Sequence, residues 1–229
     1  HAVVLVNYKG WQDTVVCVRS IIQSQDTPHI IVVDNGSGNE SVSELKLAFP
    51  DLDLIVSETN VGFSAGNNLG IKRALRLGAK VVYILNNDTE VDPQLFFRSY
   101  RYVAGKDRIA GGKIYYAQGY EFHAEQKGRG DVLWYAGGYF DWTSVIARHL
   151  GVDEIDRGQY DRTKPVDFIT GCFIAVPRRV FRKIGLLDEP FFLYLEDTDF
   201  CLHAHSAGIE VMYNPRFIVY HRNSSATVS

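Results

Sequence analysis

Three carboxylates within four positions, Glu196, Asp197 and Asp199, follow directly on the apolar run Phe191-Phe192-Leu193-Tyr194-Leu195. Acids this dense beside an apolar wall suit a general base whose proton affinity is set by its surroundings. The acidic first turn of a helix, favoured by the helix dipole, accounts for one or two of them and less easily for three. On a helix Asp197 and Asp199 point about 200° apart, so one pocket takes only one of them. A second candidate is Asn86-Asn87-Asp88-Thr89-Glu90, which ends a strongly apolar run. A carboxylate held there could ligate a hard cation of the kind that neutralises a departing diphosphate, and position and residue type favour this over Asp88 or Thr89 merely capping a turn. Asp34-Asn35-Gly36-Ser37 could present a carboxylate to a nucleobase or ribose, or could be an ordinary turn, and composition does not choose. In Asn60 to Gly70 the small residues could let backbone N–H groups face a phosphate or sugar, or let a helix pack tightly. His221, after Phe217 to Tyr220, could be a nitrogen ligand or a structural residue. His203 and His205 fall on opposite helix faces, and Cys201 with His205 supplies only two ligands, so these read as structural. Lys72, Arg73, Arg76 and Lys80 read as a solvated helix face.

Such groups need rigid placement, and the first half of the chain supplies it. Four β-branched runs, Val3 to Val6, Ile30 to Val33, Leu52 to Val56 and Val81 to Leu85, are separated by stretches long enough for one helix each. That alternation predicts an α/β fold around a parallel sheet. Helices are expected from about Trp11, Ser41 and Ser64, and after Asp92-Pro93, where Asp can cap and Pro suits a first turn. The polar groups at Asn7, Asp34, Asn60 and Asn86 each follow a strand, where ligands gather in such sheets. From about Gly111 to Tyr160 the alternation is lost and Gly, Tyr and Trp become frequent, as in Trp134-Tyr135-Ala136-Gly137-Gly138; an irregular, substrate-facing segment is expected. Order returns as a strand over Val166 to Val176, helices over Arg178 to about Ile184 and Glu196 to Ala207, and a strand over Glu210 to Tyr213. Without internal repeats or a low-complexity linker, one domain is expected.

Composition narrows the function classes. The 229 residues, 46% hydrophobic and 22% charged, can bury a full core. A net charge of -3, from 24 basic and 27 acidic residues, creates no field that would gather nucleic acid or an anionic membrane surface. Cys17, Cys172 and Cys201 form no CxxC pair, so neither a disulfide framework nor a thiolate zinc site is expected, and a reducing, cytoplasmic compartment fits. No apolar run approaches the roughly 20 residues of a membrane span, and no signal peptide is visible. Thr227-Val228-Ser229 bring no stop signal, so C-terminal truncation is expected. Gly36 to Ser41 does not complete GxGxxG, which disfavours hydride transfer, and Asn60 to Gly70 lacks the Lys-Ser/Thr ending of a P-loop.

Taken in order, Val6-Asn7-Tyr8, Val33-Asp34-Asn35-Gly36-Ser37, the run from Asn60 to Asn68, Leu85-Asn86-Asn87-Asp88, Trp134 to Gly138, Thr170-Gly171-Cys172, Glu196-Asp197-Thr198-Asp199 and Val219-Tyr220-His221 resemble the GT-A-fold glycosyltransferase family 2. The likeness is greatest to its rhamnosyltransferase-like bacterial members and covers nearly the whole chain. It implies a nucleotide-diphospho-sugar transferase fold, Rossmann-like, with a mostly parallel central sheet flanked by helices. Residues 1–110 would form the nucleotide-sugar-binding half and residues 111–229 the acceptor-binding half.

The resemblance also implies roles. Asp34 and the end of the first strand would hold a pyrimidine base, with Asn7, Asn35, Asn60, Gly62, Asn67, Asn86 and Asn87 in the nucleotide-sugar site. Asp88 matches the last acid of the family's Asp-X-Asp motif, and His221 matches a histidine that completes ligation of Mn2+ or Mg2+. Asp197 matches the catalytic base of an inverting transfer, and Trp134, Gly137, Gly138 and Glu196 are expected in the acceptor or sugar pocket. The implied donor is dTDP-rhamnose or a UDP-sugar. The implied acceptor is a glycan or lipid-linked hydroxyl in cell-surface polysaccharide synthesis, reached at the inner face of the cell membrane. The chain departs from the pattern at Asn86-Asn87-Asp88, which offers one carboxylate, and at His203, where relatives often carry Arg. Two other readings are a nucleotide-sugar-binding module without catalysis and a sugar-phosphate nucleotidyltransferase. The first is opposed by Asp88, Asp197 and His221. The second should carry a Gly-rich, Arg- and Lys-bearing loop, where this chain has Asn7-Tyr8-Lys9-Gly10-Trp11.

Overall fold

The computed structural model describes residues 1–121 and 130–223. Positions 122–129 of the expected irregular segment, and the chain end at Thr227 to Ser229, lie outside the described residues. The first half alternates as expected: β1 (Ala2–Asn7), α1 (Trp11–Ile22), β2 (His29–Asn35), α2 (Ser41–Ala48), β3 (Asp53–Ser57), α3 (Gly62–Arg76), β4 (Val81–Leu85), β5 (Thr89–Val91) and α4 (Leu95–Val103). The second half continues with β6 (Arg108–Tyr116), β7 (Leu133–Tyr135), β8 (Gly138–Asp141), β9 (Ile146–His149), β10 (Lys164–Pro165), β11 (Phe173–Pro177), α5 (Arg178–Ile184), α6 (Glu196–Ser206) and β12 (Glu210–His221).

The main sheet runs β10-β12-β6-β11-β4-β1-β2-β3, with β5 added to β12 and β7 to β6. β1 is parallel to both β2 and β4, and the chain leaves β1 on one side and returns on the other. That reversal opens a crevice beyond the carboxyl ends of β1 and β4, the usual place for a ligand. β1 and β4 are covered on both faces, which is why they read as unbroken apolar runs. Gly70 lets α3 lie close on this sheet, since a Cβ there would come 2.3 Å from Val4 Cγ1. Tight packing therefore accounts for part of the small-residue pattern between Asn60 and Gly70.

Four expectations need correction. α3 begins at Gly62, because Ser64 is wholly buried and caps nothing. Of the strand expected over Val166 to Val176 only the end forms a strand, β11; residues 166–172 make a loop between β10 and β11 whose apolar side chains, Val166, Phe168, Ile169 and Cys172, are buried. β12 does not stop at Tyr213 but passes a register break between Asn214 and Ile218 and continues to His221. The middle segment is far from irregular among the described residues: β6 pairs with β11, β12 and β7, and β8 with β9 forms a separate hairpin.

An ion cluster fastens the loop after β9 to the sheet. Lys113 Nζ, nearly fully buried, lies 2.6 Å from Asp156 Oδ2 and 2.6 Å from Asp161 Oδ1, and Tyr115 donates its hydroxyl to Asp156. Burial alone would raise the Asp156 carboxyl, but the bonds from Lys113 and Tyr115 outweigh it and hold the group below its ordinary 3.8. Its stabilising contribution is thus present above that value and is lost as pH falls through the lower folded value. Lys113→Met leaves Asp156 without its cation, and urea titration at neutral pH should show a loss of about 2–3 kcal/mol. The variant's stability should also fall less steeply in acid than that of the wild type.

Candidate active site

A cavity of about 630 Å³ opens at the carboxyl ends of β1, β2 and β4. One wall comes from Tyr8, Asn35, Asn60, Gly62, Asn86, Asn87 and Asp88, and the other from Trp134, His149, Gly171, Phe192 to Thr198 and His221. Of the residues named from sequence, Asn35, Asn60, Gly62, Asn86, Asn87, Asp88, Trp134, Glu196, Asp197 and His221 meet there. Asn7, Asp34, Asn67, Gly137 and Gly138 do not line it.

Asp34 sits behind the wall, 2% exposed. Its Oδ2 accepts from Asn7 Nδ2 at 2.7 Å and from Ser37 Oγ at 2.6 Å, and its Oδ1 from Ser37 N at 3.2 Å. Thr14 Oγ1 donates to Asn7 Oδ1 at 2.9 Å and accepts from Asn87 Nδ2 at 2.8 Å. The result is one polar chain from Asn87 through Thr14 and Asn7 to Asp34, which fixes the ends of β1, β2 and β4 relative to one another. Asn35 works similarly: its amide donates to Asn60 Oδ1 at 2.9 Å and to Gly62 O at 3.1 Å, and accepts from Val61 N at 3.1 Å. Asn67 spends its Nδ2 on Phe63 O within α3. Gly137 lies against Val166 and Leu150, and Gly138 against the ring of Phe168, so both are packing positions of the hairpin.

Asp88 and His221 converge from different ends of the chain. β5 pairs antiparallel with the end of β12, placing His221 opposite Thr89, and His221 Nε2 lies 3.1 Å from Asp88 Oδ1. Arg222 N donates to the Asp88 carbonyl at 2.8 Å, and the Arg222 guanidinium lies 3.3 Å from Asp13, another cavity residue. The Trp134 ring packs edge-on against His221, with centroids 4.5 Å apart, and against His149 at 5.1 Å. Burial, helped by nearby His221, lowers His149 to about 4, so this imidazole is neutral at physiological pH. His149 carries no motif and was invisible in the sequence; only its place on β9 beside Trp134 brings it to the site.

Asp197 and Glu196 open α6 on the far wall. Asp197 Oδ2 accepts from Gly171 N at 2.8 Å, while Oδ1 accepts from Thr198 N at 2.6 Å and Thr198 Oγ1 at 3.2 Å. Burial raises its proton affinity against the pull of these donors. Asp199 turns away from the cavity, its Oδ2 3.6 Å from His203 Nδ1, and exposed His205 reaches the Asp167 carbonyl. The chain enters α6 through Tyr194 and Leu195, both left-handed at φ 69° and 71°. Two successive non-glycine residues in that region cost roughly 1–2 kcal/mol each, the kind of strain that collects at functional sites. The segment is tied down where Phe63 N donates to Phe192 O at 2.7 Å. A side chain at Gly62 would strike that carbonyl at 2.7 Å, and its φ of +86° excludes one on backbone grounds as well.

Asp13, Asp88, Glu196 and Asp197 line the cavity with His149 and His221, and no Lys or Arg does so among the described residues. No cluster of three or more His, Cys, Asp or Glu able to hold a metal occurs among the described residues. A divalent cation still fits the donor set: a carboxylate and an imidazole nitrogen converge at Asp88 and His221, and the remaining ligands would be anionic oxygens of the bound molecule and water.

The fold and the position of the cavity define a GT-A-type domain. GalNAc-T7, solved with UDP, GalNAc and Mn2+, superposes with a TM-score of 0.73 at 18% identity, covering 96% of this chain and 43% of that one. Mannosyltransferase PcManGT from Pyrobaculum calidifontis, solved with GDP-Man and Mn2+, superposes at 0.63 with 12% identity, covering 98% and 57%. The chain belongs to glycosyl transferase family 2, whose family model matches residues 2–185. It is 28% identical over 215 residues to the low-salt glycan biosynthesis hexosyltransferase Agl10 of Haloferax volcanii, covering 92% of this chain and 63% of that protein. It is 21% identical over 194 residues to the dTDP-rhamnosyl transferase RfbF of Shigella flexneri, covering 84% and 59%. The chain thus spans about three fifths of the length of these relatives.

Proposed function

We propose that this chain is the catalytic domain of a cation-assisted, inverting glycosyltransferase. It would move a hexose, with rhamnose favoured by the likeness to RfbF, from a dTDP- or UDP-linked donor to a hydroxyl of a glycan or lipid-linked acceptor in cell-surface polysaccharide synthesis. The observation that carries the reading is the cavity's charge: it has acids on both walls, no Lys or Arg among the described lining residues, and the Asp88–His221 pair at the strand ends. A diphosphate enters such a site only with a cation. The same lack of Lys and Arg opposes a nucleotidyltransferase, which must hold a triphosphate.

In this mechanism residues 1–110 bind mainly the donor and residues 111–229 the acceptor, with His221 returning to the donor side. Asp197 accepts the proton of the acceptor hydroxyl, whose oxygen forms the new bond to the anomeric carbon as the bond to the diphosphate breaks. One displacement inverts the configuration and needs no covalent sugar-enzyme intermediate. Asp88 and His221 would hold Mn2+ or Mg2+, which when bound neutralises the charge of the leaving diphosphate. Gly171 and Thr198 keep Asp197 oriented, and Trp134 offers a flat apolar face for a sugar ring. No helix of the described residues is long and apolar enough to cross a membrane. A lipid-linked acceptor would be met at the inner, cytoplasmic face.

Calorimetric titration with UDP, dTDP and GDP, each with Mn2+, with Mg2+ and with chelator, tests the reading. One nucleoside diphosphate should bind at least about tenfold more tightly with cation than with chelator, the size of effect a lost metal contact gives. Folded protein that binds none of them, or binds equally well in chelator, would remove the reading.

A further inference from the structure

Glu196 and Asp197 are neighbours on one wall, yet they are provided for differently. Asp197 receives the N–H of Gly171, the N–H of Thr198 and the Thr198 hydroxyl. Glu196 is 6% exposed and lines the cavity, and its Oε2 is sealed from solvent with no hydrogen-bond partner among the described residues. An ionised carboxylate there would hold an unsolvated oxygen beside a second anion, which burial and like charge both penalise. The dipole of α6 favours negative charge at its first turn, and the three donors assign that charge to Asp197. Among the described residues no Lys or Arg offsets it from across the cavity: the other carboxylates and imidazoles lining it are Asp13 on α1, Asp88 after β4, His149 on β9 and His221 on β12. Asp13 already has Arg222, and His149 is neutral.

We propose that Glu196 keeps its proton through the mildly acid range in which carboxylates are ordinarily ionised, and donates a hydrogen bond to a hydroxyl oxygen of the acceptor sugar, beside the oxygen that Asp197 deprotonates. The acceptor contact rests on the transferase reading above; the proton does not. Burial first, and then the charge of Asp197, push Glu196 up to about 7, in agreement with the geometry. The two acids thus divide into an ionised base and a neutral donor, a division that buried carboxylate pairs adopt when their surroundings differ. Ionisation of Glu196 above that value replaces the donor with an anion facing the sugar, so transfer should decline on the alkaline side.

Carbon-13 carboxyl NMR of wild-type protein labelled at glutamate tests the proton directly. One glutamate should titrate near 7, well above the ordinary 4.5 of this side chain. A spectrum in which every glutamate titrates in the ordinary range overturns the proposal, whatever the enzyme's activity. Stability gives a second readout. Between the ordinary and the raised value the native state holds one proton more than the unfolded chain, so this group's contribution weakens as pH rises. From about pH 5 to about pH 8 the melting temperature of the wild type should therefore drop several degrees relative to Glu196→Gln. A gap that does not change with pH overturns the proposal. In transfer assays Glu196→Ala should lower kcat/KM about tenfold to hundredfold, as a lost buried donor does. Glu196→Gln, which keeps an N–H donor and cannot ionise, should recover most of that loss and abolish the alkaline decline. Loss of transfer in the Gln variant as deep as in Asp197→Asn would make Glu196 a base and overturn the assignment. A wild type inactive with every donor would count against the transferase reading alone, because the NMR and melting measurements need no substrate.

Discussion

Asp197→Asn should lower kcat by about 10²–10⁴-fold, the span that general-base catalysis supplies, while cation-dependent binding of the nucleoside diphosphate persists. The variant cannot accept a proton, yet it keeps nearly the same shape. Its amide also sets an NH2 group against one of the donors that now meet Asp197, from Gly171 and Thr198. A stability loss of about 1–3 kcal/mol should accompany the loss of rate, so binding must be measured on protein shown to be folded. Because burial raises the proton affinity of Asp197, the wild-type rate should climb with pH through a limb above the usual aspartate range, and that limb should vanish from any residual activity of the variant. Undiminished turnover from the Asn variant would remove Asp197 from its role.

The second large effect is expected at Asp88→Ala. The affinity for nucleoside diphosphate in Mn2+ should drop at least about tenfold and approach the value measured in chelator. The fold should survive, because the bond from Arg222 N reaches the backbone carbonyl of Asp88 and not the side chain that is removed. With one carboxylate in Asn86-Asn87-Asp88, little is left to compensate: Asn86 and Asn87 offer only neutral amides, and Asn87 has committed its NH2 to Thr14. His221→Ala should weaken the same binding while also exposing the edge of Trp134, so it should cost more stability than Asp88→Ala. Retained cation dependence in both variants would place the ion elsewhere.

The doubly covered strands were the most legible part of the fold. Val3 to Leu5 and Val81 to Leu85 are buried on both faces, so apolarity and conformation coincide there. Val166 to Cys172 is as apolar but not extended, because burial can be met by a loop that aims Gly171 N–H at Asp197. The continuation of β12 past Asn214-Pro215-Arg216 was hidden because a register break uses the same residues as a turn. At the site, Asp88, Asp197 and His221 could be named from ordered motifs, and the chain brings them to one cavity. Asp34 shows the opposite limit. Its composition fitted a ligand contact and a turn equally well, and only the geometry shows both its oxygens spent on Asn7 and Ser37. His149 gave no signal at all, since its importance comes from a hairpin that no local pattern announced.

The place of β12 in the sheet bears on how the molecule is made. β1 to β4 form a contiguous block and can pair as soon as residues 2–85 have been synthesised, whereas β6 has one long edge open until residues 210–221 arrive to lie between it and β10. A nascent chain therefore carries an unprotected strand edge from the completion of β6 at Tyr116 until β12 begins at Glu210, a state prone to association with its neighbours on the polysome. The strand that finally covers this edge also delivers His221 to Asp88. On the transferase reading, metal and nucleotide would stabilise only chains that have completed the sheet, so cellular pools of both would act as a checkpoint on its completion.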